Sequence, residues 1–196
     1  MNIQTCIVGS YASGKTTLIQ KHIYKDIMTN IKTQPTIGMS AMEKHHIIGY
    51  RQIKNIIFDT AGQERYASLI PIYLRNCQIL IFAINSDNYI ESLNYFKKII
   101  PSIITLCKYL VVCFTKTDLS NIVENENVKD IDDILKCYDI TYKILYTSSV
   151  NNKNINEPFT YFIEDAVKDK NLKTFNNIKI HDNPNVTKSR GCCTLS

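Results

Sequence analysis

Short apolar runs rich in β-branched residues recur along the chain, separated by stretches in which apolar residues return every three or four positions. "IQTCIV" (3–8), "IKNIIFD" (53–59), "QILIFAI" (78–84), "YLVVCF" (109–114) and "YKILYTS" (142–148) have the length and composition of strands buried on both faces. "TTLIQKHIYKDI" (16–27), "NYIESLNYFKKII" (88–100), "VKDIDDILKCY" (128–138) and "NEPFTYFIEDAVKD" (156–169) repeat with helical period, the last with Pro158 near its start, where proline is tolerated. Strand–helix alternation predicts an α/β fold built on a mainly parallel sheet with helices on both faces. "MSAMEKHHIIGY" (39–50) before "RQIKNIIFD" predicts a hairpin about Gly49-Tyr50, which adds one antiparallel edge strand and makes six strands in all. From residue 171 the chain is polar, Asn-rich and aperiodic, so the reading is one domain over 1–170 and a flexible tail over 171–196.

Composition changes this picture little. Of 196 residues, 44% are hydrophobic and 21% charged, enough apolar content for a core. Charge is more telling. The formal net charge is +5, but residues 168–196 hold six basic residues against two carboxylates, so the body is near neutral. That disfavours a nucleic-acid footprint on the domain and leaves a basic tail suited to an anionic membrane surface. Seven cysteines show no C-x-x-C spacing and no metal-ligand pattern; Cys6 and Cys113 lie in apolar runs and read as buried hydrophobes in a reducing compartment. Signal-peptide, membrane-span and N-myristoylation patterns are all missing, and His45 and His46 read as surface residues of an edge strand.

The chemistry concentrates in the loops that follow strands. "GSYASGKTT" (9–17) fits G-x-x-x-x-G-K-[ST] between a strand and a helix. There, backbone N–H groups and a helix N-terminus attract phosphate oxygens, Lys15 reaches the terminal phosphates and Thr16 offers a hydroxyl to Mg²⁺. Gly9, Tyr11, Ala12, Ser13, Gly14, Lys15, Thr16 and Thr17 form this candidate phosphate site. "IIFDTAGQE" (56–64) places Asp59 at a strand end, suited to a Mg²⁺ site or its water shell. Gly62 then lets backbone approach a γ-phosphate, and Gln63 can orient an attacking water. "FTKTD" (114–118) gives Thr115, Lys116 and Asp118. The carboxylate of Asp118 can accept paired hydrogen bonds from guanine N1–H and the 2-amino group, which adenine lacks. "TSSVNN" (147–152) adds Ser148, Ser149 and Val150 beside the base.

In this order and spacing, "GSYASGKT", "TIG", "DTAGQE", "TKTD" and "TSS" resemble the small GTPases of the Ras superfamily, over residues 3–168. "DTAGQERYASLIPIYLRN" (59–76) is similar to Rab proteins, particularly the early-endosomal branch, as is Ala12. The resemblance implies a six-stranded P-loop GTPase fold and a switch that cycles between GTP and GDP with Mg²⁺. Thr16, Thr36 and Asp59 would be metal ligands, Gln63 and Lys15 catalytic, and residues 28–42 and 61–77 the two switches. The implied partners are an exchange factor, a GTPase-activating protein, effectors and prenylation and escort machinery, acting on a monomer at the cytosolic face of an internal membrane. Departures are equally plain. Tyr11 replaces a small residue and crowds Gln63, which raises a second reading, a hydrolysis-impaired, mostly GTP-bound module. Lys15 to Thr36 spans 21 positions, two more than the family spacing, so the residue flanking guanine is open among Tyr24, Ile27 and Met28. Ala41 and Phe58 replace aromatics between the switches, and Val150 a lysine. "GCCTLS" (191–196) fits C-a-a-X farnesylation at Cys193 and also resembles double geranylgeranylation of Cys192 and Cys193. A nucleotide kinase is the remote alternative, disfavoured because only four arginines are present and no lid is visible.

Overall fold

The structure, a computed structural model, describes residues 1–24, 36, 38–62, 69–119 and 124–169. Six strands form one sheet: β1 (Asn2–Gly9), β2 (Met39–Ile48), β3 (Arg51–Thr60), β4 (Ile79–Asn85), β5 (Tyr109–Thr115) and β6 (Thr141–Tyr146), in the order β2-β3-β1-β4-β5-β6. Only the β2–β3 pair is antiparallel, closed by the expected turn at Gly49-Tyr50. The register of β1 is fixed on both sides, with Ile7 opposite Asp59 of β3 and Ile81 of β4. All parallel strands therefore end on one edge, and the loops that follow them meet there.

Alternation within the strands builds two core layers. Leu80, Phe82 and Ile84 of β4 face one side and pack with Leu93, Phe96 and Ile100 of α3 (Tyr89–Ile103) and with Ile131 and Leu135 of α4 (Glu124–Leu135). Ile79, Ile81 and Ala83 face the other side, against Leu18 and Ile19 of α1 (Lys15–Ile23) and Phe159 of α5 (Glu157–Thr160). Because β4 and β5 have both faces covered, their runs are apolar at nearly every position. β6 departs from that expectation: it is the sheet's far edge, and most of its side chains are only half-buried.

Helix bounds also differ from the periodic reading. The run at 156–169 is two pieces, α5 and a helical segment at 163–169, separated by a turn at Tyr161 and Phe162. Both pieces still bury one face, through Phe159 on α5 and Ile163 and Ala166 beyond the turn. α4 begins at Glu124, ahead of the periodic stretch, because an apolar repeat cannot mark a first turn composed of polar residues. A short helix, α2 (Ile70–Tyr73), carries Pro71 in its first turn, where the missing N–H costs nothing.

His46 contradicts the surface reading given to the His45-His46 pair. Strand alternation turns His45 outward, as expected, but aims His46 inward over α1, stacked near His22 at 5.9 Å between ring centres. His22 in turn stacks on Phe159 at 4.3 Å, and its Nδ1 meets Asn156 Oδ1 at 2.9 Å. This stack joins the edge hairpin to α1 and α5. Burial, then Lys44, then His45 hold His46 below the usual histidine range, and Lys44 also reaches His22. The folded state thus resists a proton that the unfolded chain accepts, so stability is full above the ordinary histidine pKa and falls as pH drops through it. Thermal melts between about pH 5 and 8 should show this decline, and His46→Phe should flatten it.

Candidate functional site

β1 ends at Gly9, and the loop that follows it wraps back toward its own lysine. Gly14 caps α1 with φ 81°, a left-handed conformation that glycine adopts without strain. No side chain caps that helix, so the N–H groups of its first turn are left for a ligand. Lys15 is buried, with Nζ donating to Gly9 O at 3.1 Å, Ser10 O at 2.8 Å and Ser13 Oγ at 3.2 Å. Burial pushes its pKa down to about 8, opposed by the nearby charge of Asp59. The ammonium therefore sits in an enclosure of neutral oxygens, with no anionic partner in contact among the described residues. Gly62 closes the other side: a Cβ there would lie 2.4 Å from Lys15 Nζ and 2.6 Å from Ser10 O.

Beside this cradle three segments converge on one carboxylate. Thr16 Oγ1 donates to Asp59 Oδ2 at 2.6 Å, Thr36 Oγ1 donates to the same oxygen at 3.3 Å, and the two hydroxyls are 3.1 Å apart. The two extra residues between Lys15 and Thr36 thus leave Thr36 in reach. Asp59 Oδ1 is buried with no hydrogen-bond partner among the described residues. Burial raises the Asp59 pKa, with the Thr16 bond, the Lys15 charge and the Thr36 bond pulling the other way. Hard oxygen donors around an orphaned, poorly solvated carboxylate oxygen are what a small divalent cation satisfies, so the residues fit Mg²⁺.

A second cluster lies at the ends of β5 and β6. Ser148 is buried and donates through Oγ to Asp118 Oδ1 at 2.5 Å, while its Oγ accepts the Asn151 N–H at 3.0 Å. Ser148 therefore aims Asp118 rather than facing a base itself. Thr117 N–H and Oγ1 both donate to Thr147 O, which fixes the spacing of the two loops. Thr115 Oγ1 donates to Ser13 O at 2.7 Å, tying this cluster to the phosphate loop. Lys116 takes φ 56°, and its chain end passes over Gly14. Ser149 and Thr17 are half-buried nearby, and Val150 is exposed, so its apolar side chain is left without a close packing role.

Tyr11 is 58% exposed and follows the loop's first turn, with Ala12 at φ 55°. It lines a cleft of about 500 Å³ together with Gly62 and with Asn88, Glu91 and Lys98 around α3. Ser92 of α3, which no motif pointed to, supports this region through Ser10 Oγ at 3.0 Å and Asn85 N–H at 3.2 Å. Gln63, Cys192 and Cys193 lie outside the described residues, as do Ile27 and Met28. Tyr24, the remaining candidate for flanking a base, is exposed at the end of α1.

The model of the Ras family matches residues 4–168, which is the whole described domain but for its outermost residues. The chain belongs to the Ras family. Several of its relatives carry Rab names. It is 32% identical over 159 residues to Ras-related protein Rab-21 of Geodia cydonium, covering 78% of this chain and 66% of that one. It is 29% identical over 195 residues to Ras-related protein Rab-31 of Homo sapiens, covering 97% of each. It is 29% identical over 166 residues to Ras-related protein Rab-22A of Mus musculus, covering 80% and 79%. At such identity this Ras-family chain is a divergent Rab, consistent with the changes at Tyr11, Ala41 and Val150.

Ser148→Ala should release Asp118 without opening the core. A hydrogen bond to a charged group is worth about 1.5–3 kcal/mol, so guanine-nucleotide affinity should fall about 10- to 100-fold, and the nucleotide-free protein should melt a few degrees lower. Titration with a fluorescent guanine nucleotide reads the first quantity.

Proposed function

We propose that this Ras-family GTPase is a Rab-like switch that binds GTP, hydrolyses it to GDP and phosphate, and regulates membrane traffic. The observation that carries the reading is the meeting of Thr16, Thr36 and Asp59 on one carboxylate oxygen, beside a buried Lys15. Thr36 is the reporter. It belongs to a segment separate from the phosphate loop, and its hydroxyl reaches the Thr16 and Asp59 oxygens that would hold a metal.

Each group has one job under this reading. The first-turn N–H groups of α1 and the Lys15 ammonium neutralise phosphate oxygens. Thr16 and Thr36 would hold Mg²⁺, with Asp59 acting largely through water, and the metal would supply positive charge against the phosphates. Asp118, aimed by Ser148, selects guanine; Lys116 lies along the base. Gln63 orients the water, with Gly62 keeping the backbone close to the γ-phosphate. The chemistry is positioning and electrostatic stabilisation, completed by an arginine from an activating protein. Exchange factors, effectors and prenylation and escort proteins are further partners, with Cys192 and Cys193 lipidated and the protein monomeric on the cytosolic face of an endosomal or other vesicle membrane. No helix among the described residues is long and apolar enough to cross a membrane.

A second reading has its own support. Tyr11 shares its cleft with Gly62, the residue before Gln63. A phenol ring there competes with the attacking water, its glutamine and any incoming arginine, which favours a long-lived GTP state. Single-turnover hydrolysis decides between them. If Tyr11 blocks turnover, Tyr11→Ser accelerates it about tenfold or more, equivalent to about 1.4 kcal/mol of barrier; equal rates leave the ordinary GTPase reading. The metal assignment has a separate check. Chelation by EDTA should speed GDP release from the wild-type protein, and Asp59→Asn should blunt that acceleration.

A further inference from the structure

The end of the sheet opposite the nucleotide loops carries an apolar tip that the switch chemistry does not use. At the β2–β3 turn Ile47 is 82% exposed and Tyr50 fully so. Their neighbours are Gly49, Arg51 and Gln52, all exposed, with Ile47 paired to Gln52 across the hairpin. The nearest carboxylate on the hairpin, Glu43, is already engaged by Lys54 at 2.6 Å. The tip therefore presents two large apolar side chains beside an arginine, with no competing carboxylate on the hairpin's turn.

Register places this tip at the amino-terminal edge of the parallel strands. Asn2 of β1 lies opposite Lys54, so the turn at 49–50 projects beyond the start of β1. The last described residue, Asp169, sits at the same edge, accepting from Tyr109 Oη at 2.5 Å and from Lys108 Nζ at 2.7 Å at the start of β5. Residues 170–196 continue from there. They hold Lys170, Lys173, Lys179, Lys188 and Arg190 against Asp182 alone. A stretch of that length reaches at most about 90 Å, so a lipid attached near its end would keep this edge of the domain within reach of the bilayer.

We infer that the β2–β3 tip is a second membrane contact, inserting Ile47 and Tyr50 into the headgroup region of an anionic leaflet while Arg51 meets lipid phosphates. Tyrosine suits the interface, with an apolar ring and a polar hydroxyl, and aliphatic residues bind by burial. Each basic residue near such a leaflet adds attraction that decays within a Debye length. The contact would orient the nucleotide edge and both switches away from the membrane, toward effectors. It rests on the reading of this chain as a tail-anchored switch.

The chain contains no tryptophan, so a single one reports its own surroundings. Full-length Tyr50→Trp and, at the opposite edge, Ile90→Trp are mixed with phosphatidylcholine vesicles with and without about one-third phosphatidylserine. The expected result is a blue shift of emission from the Tyr50→Trp variant on anionic vesicles, with emission from the Ile90→Trp variant unchanged. Adding Ile47→Asp to the Tyr50→Trp variant should reduce the bound fraction several-fold. Unchanged emission from Tyr50→Trp, or equal shifts in both variants, overturns the inference, as does undiminished binding with Ile47→Asp. Guanine-nucleotide loading of the same samples is measured separately. Failure to load counts against the switch, whereas a loaded Tyr50→Trp variant with silent emission counts against the tip alone.

Discussion

Asp59 is held where a carboxylate is least comfortable. It lies near the end of β3, at the edge where β1 and β4 also finish; burial favours its neutral form, and one of its oxygens has no partner among the described residues. Two threonine hydroxyls on the other oxygen only partly offset this. The cost is local but its consequences are not. Thr16 lies in the first turn of α1, Thr36 leads into β2, and Gly62 follows Asp59 by three residues on the same strand exit. The carboxylate therefore couples the phosphate loop and both exits of the hairpin, and any change in its charge is felt in all three.

The sheet makes that coupling possible. β1 is central, and its partners come from residues roughly fifty and seventy positions away, so the cradle exists only once the long-range pairings are in place. The Thr115–Ser13 bond extends the same logic to the loop that carries Asp118, tying it to the phosphate loop through protein. The His46–His22–Phe159 stack holds the outer hairpin to this frame from the opposite side.

Much of this is legible in the chain because the chemistry is written in contiguous stretches. The phosphate loop, the β3 exit and the β5 exit are each local, and periodicity separates the strands from the helices. What escapes such a reading is set by tertiary context. The break at Tyr161 and Phe162 leaves a helical pattern intact because both pieces bury the same face. β6 reads like an interior strand although it is the edge. His46 is polar and lies in an edge strand, yet packing against α1 turns it inward. Ser148 sits in a motif associated with the base, but its role, aiming Asp118, depends on a loop thirty residues away. Thr36 runs the other way: its spacing departs from the family's, yet the structure brings it to Asp59.

The enclosure of Lys15 has a consequence for the protein's lifetime. Under the proposed function, phosphate would relieve the buried ammonium that neutral oxygens surround, and the nucleotide-free protein would be the least stable member of the cycle. A ligand that binds only the native state adds stability that grows with the logarithm of its concentration over its dissociation constant. Guanine nucleotide would then be a structural component as much as a signal, and each exchange event would pass through a brief window in which the chain is most exposed to unfolding and proteolysis.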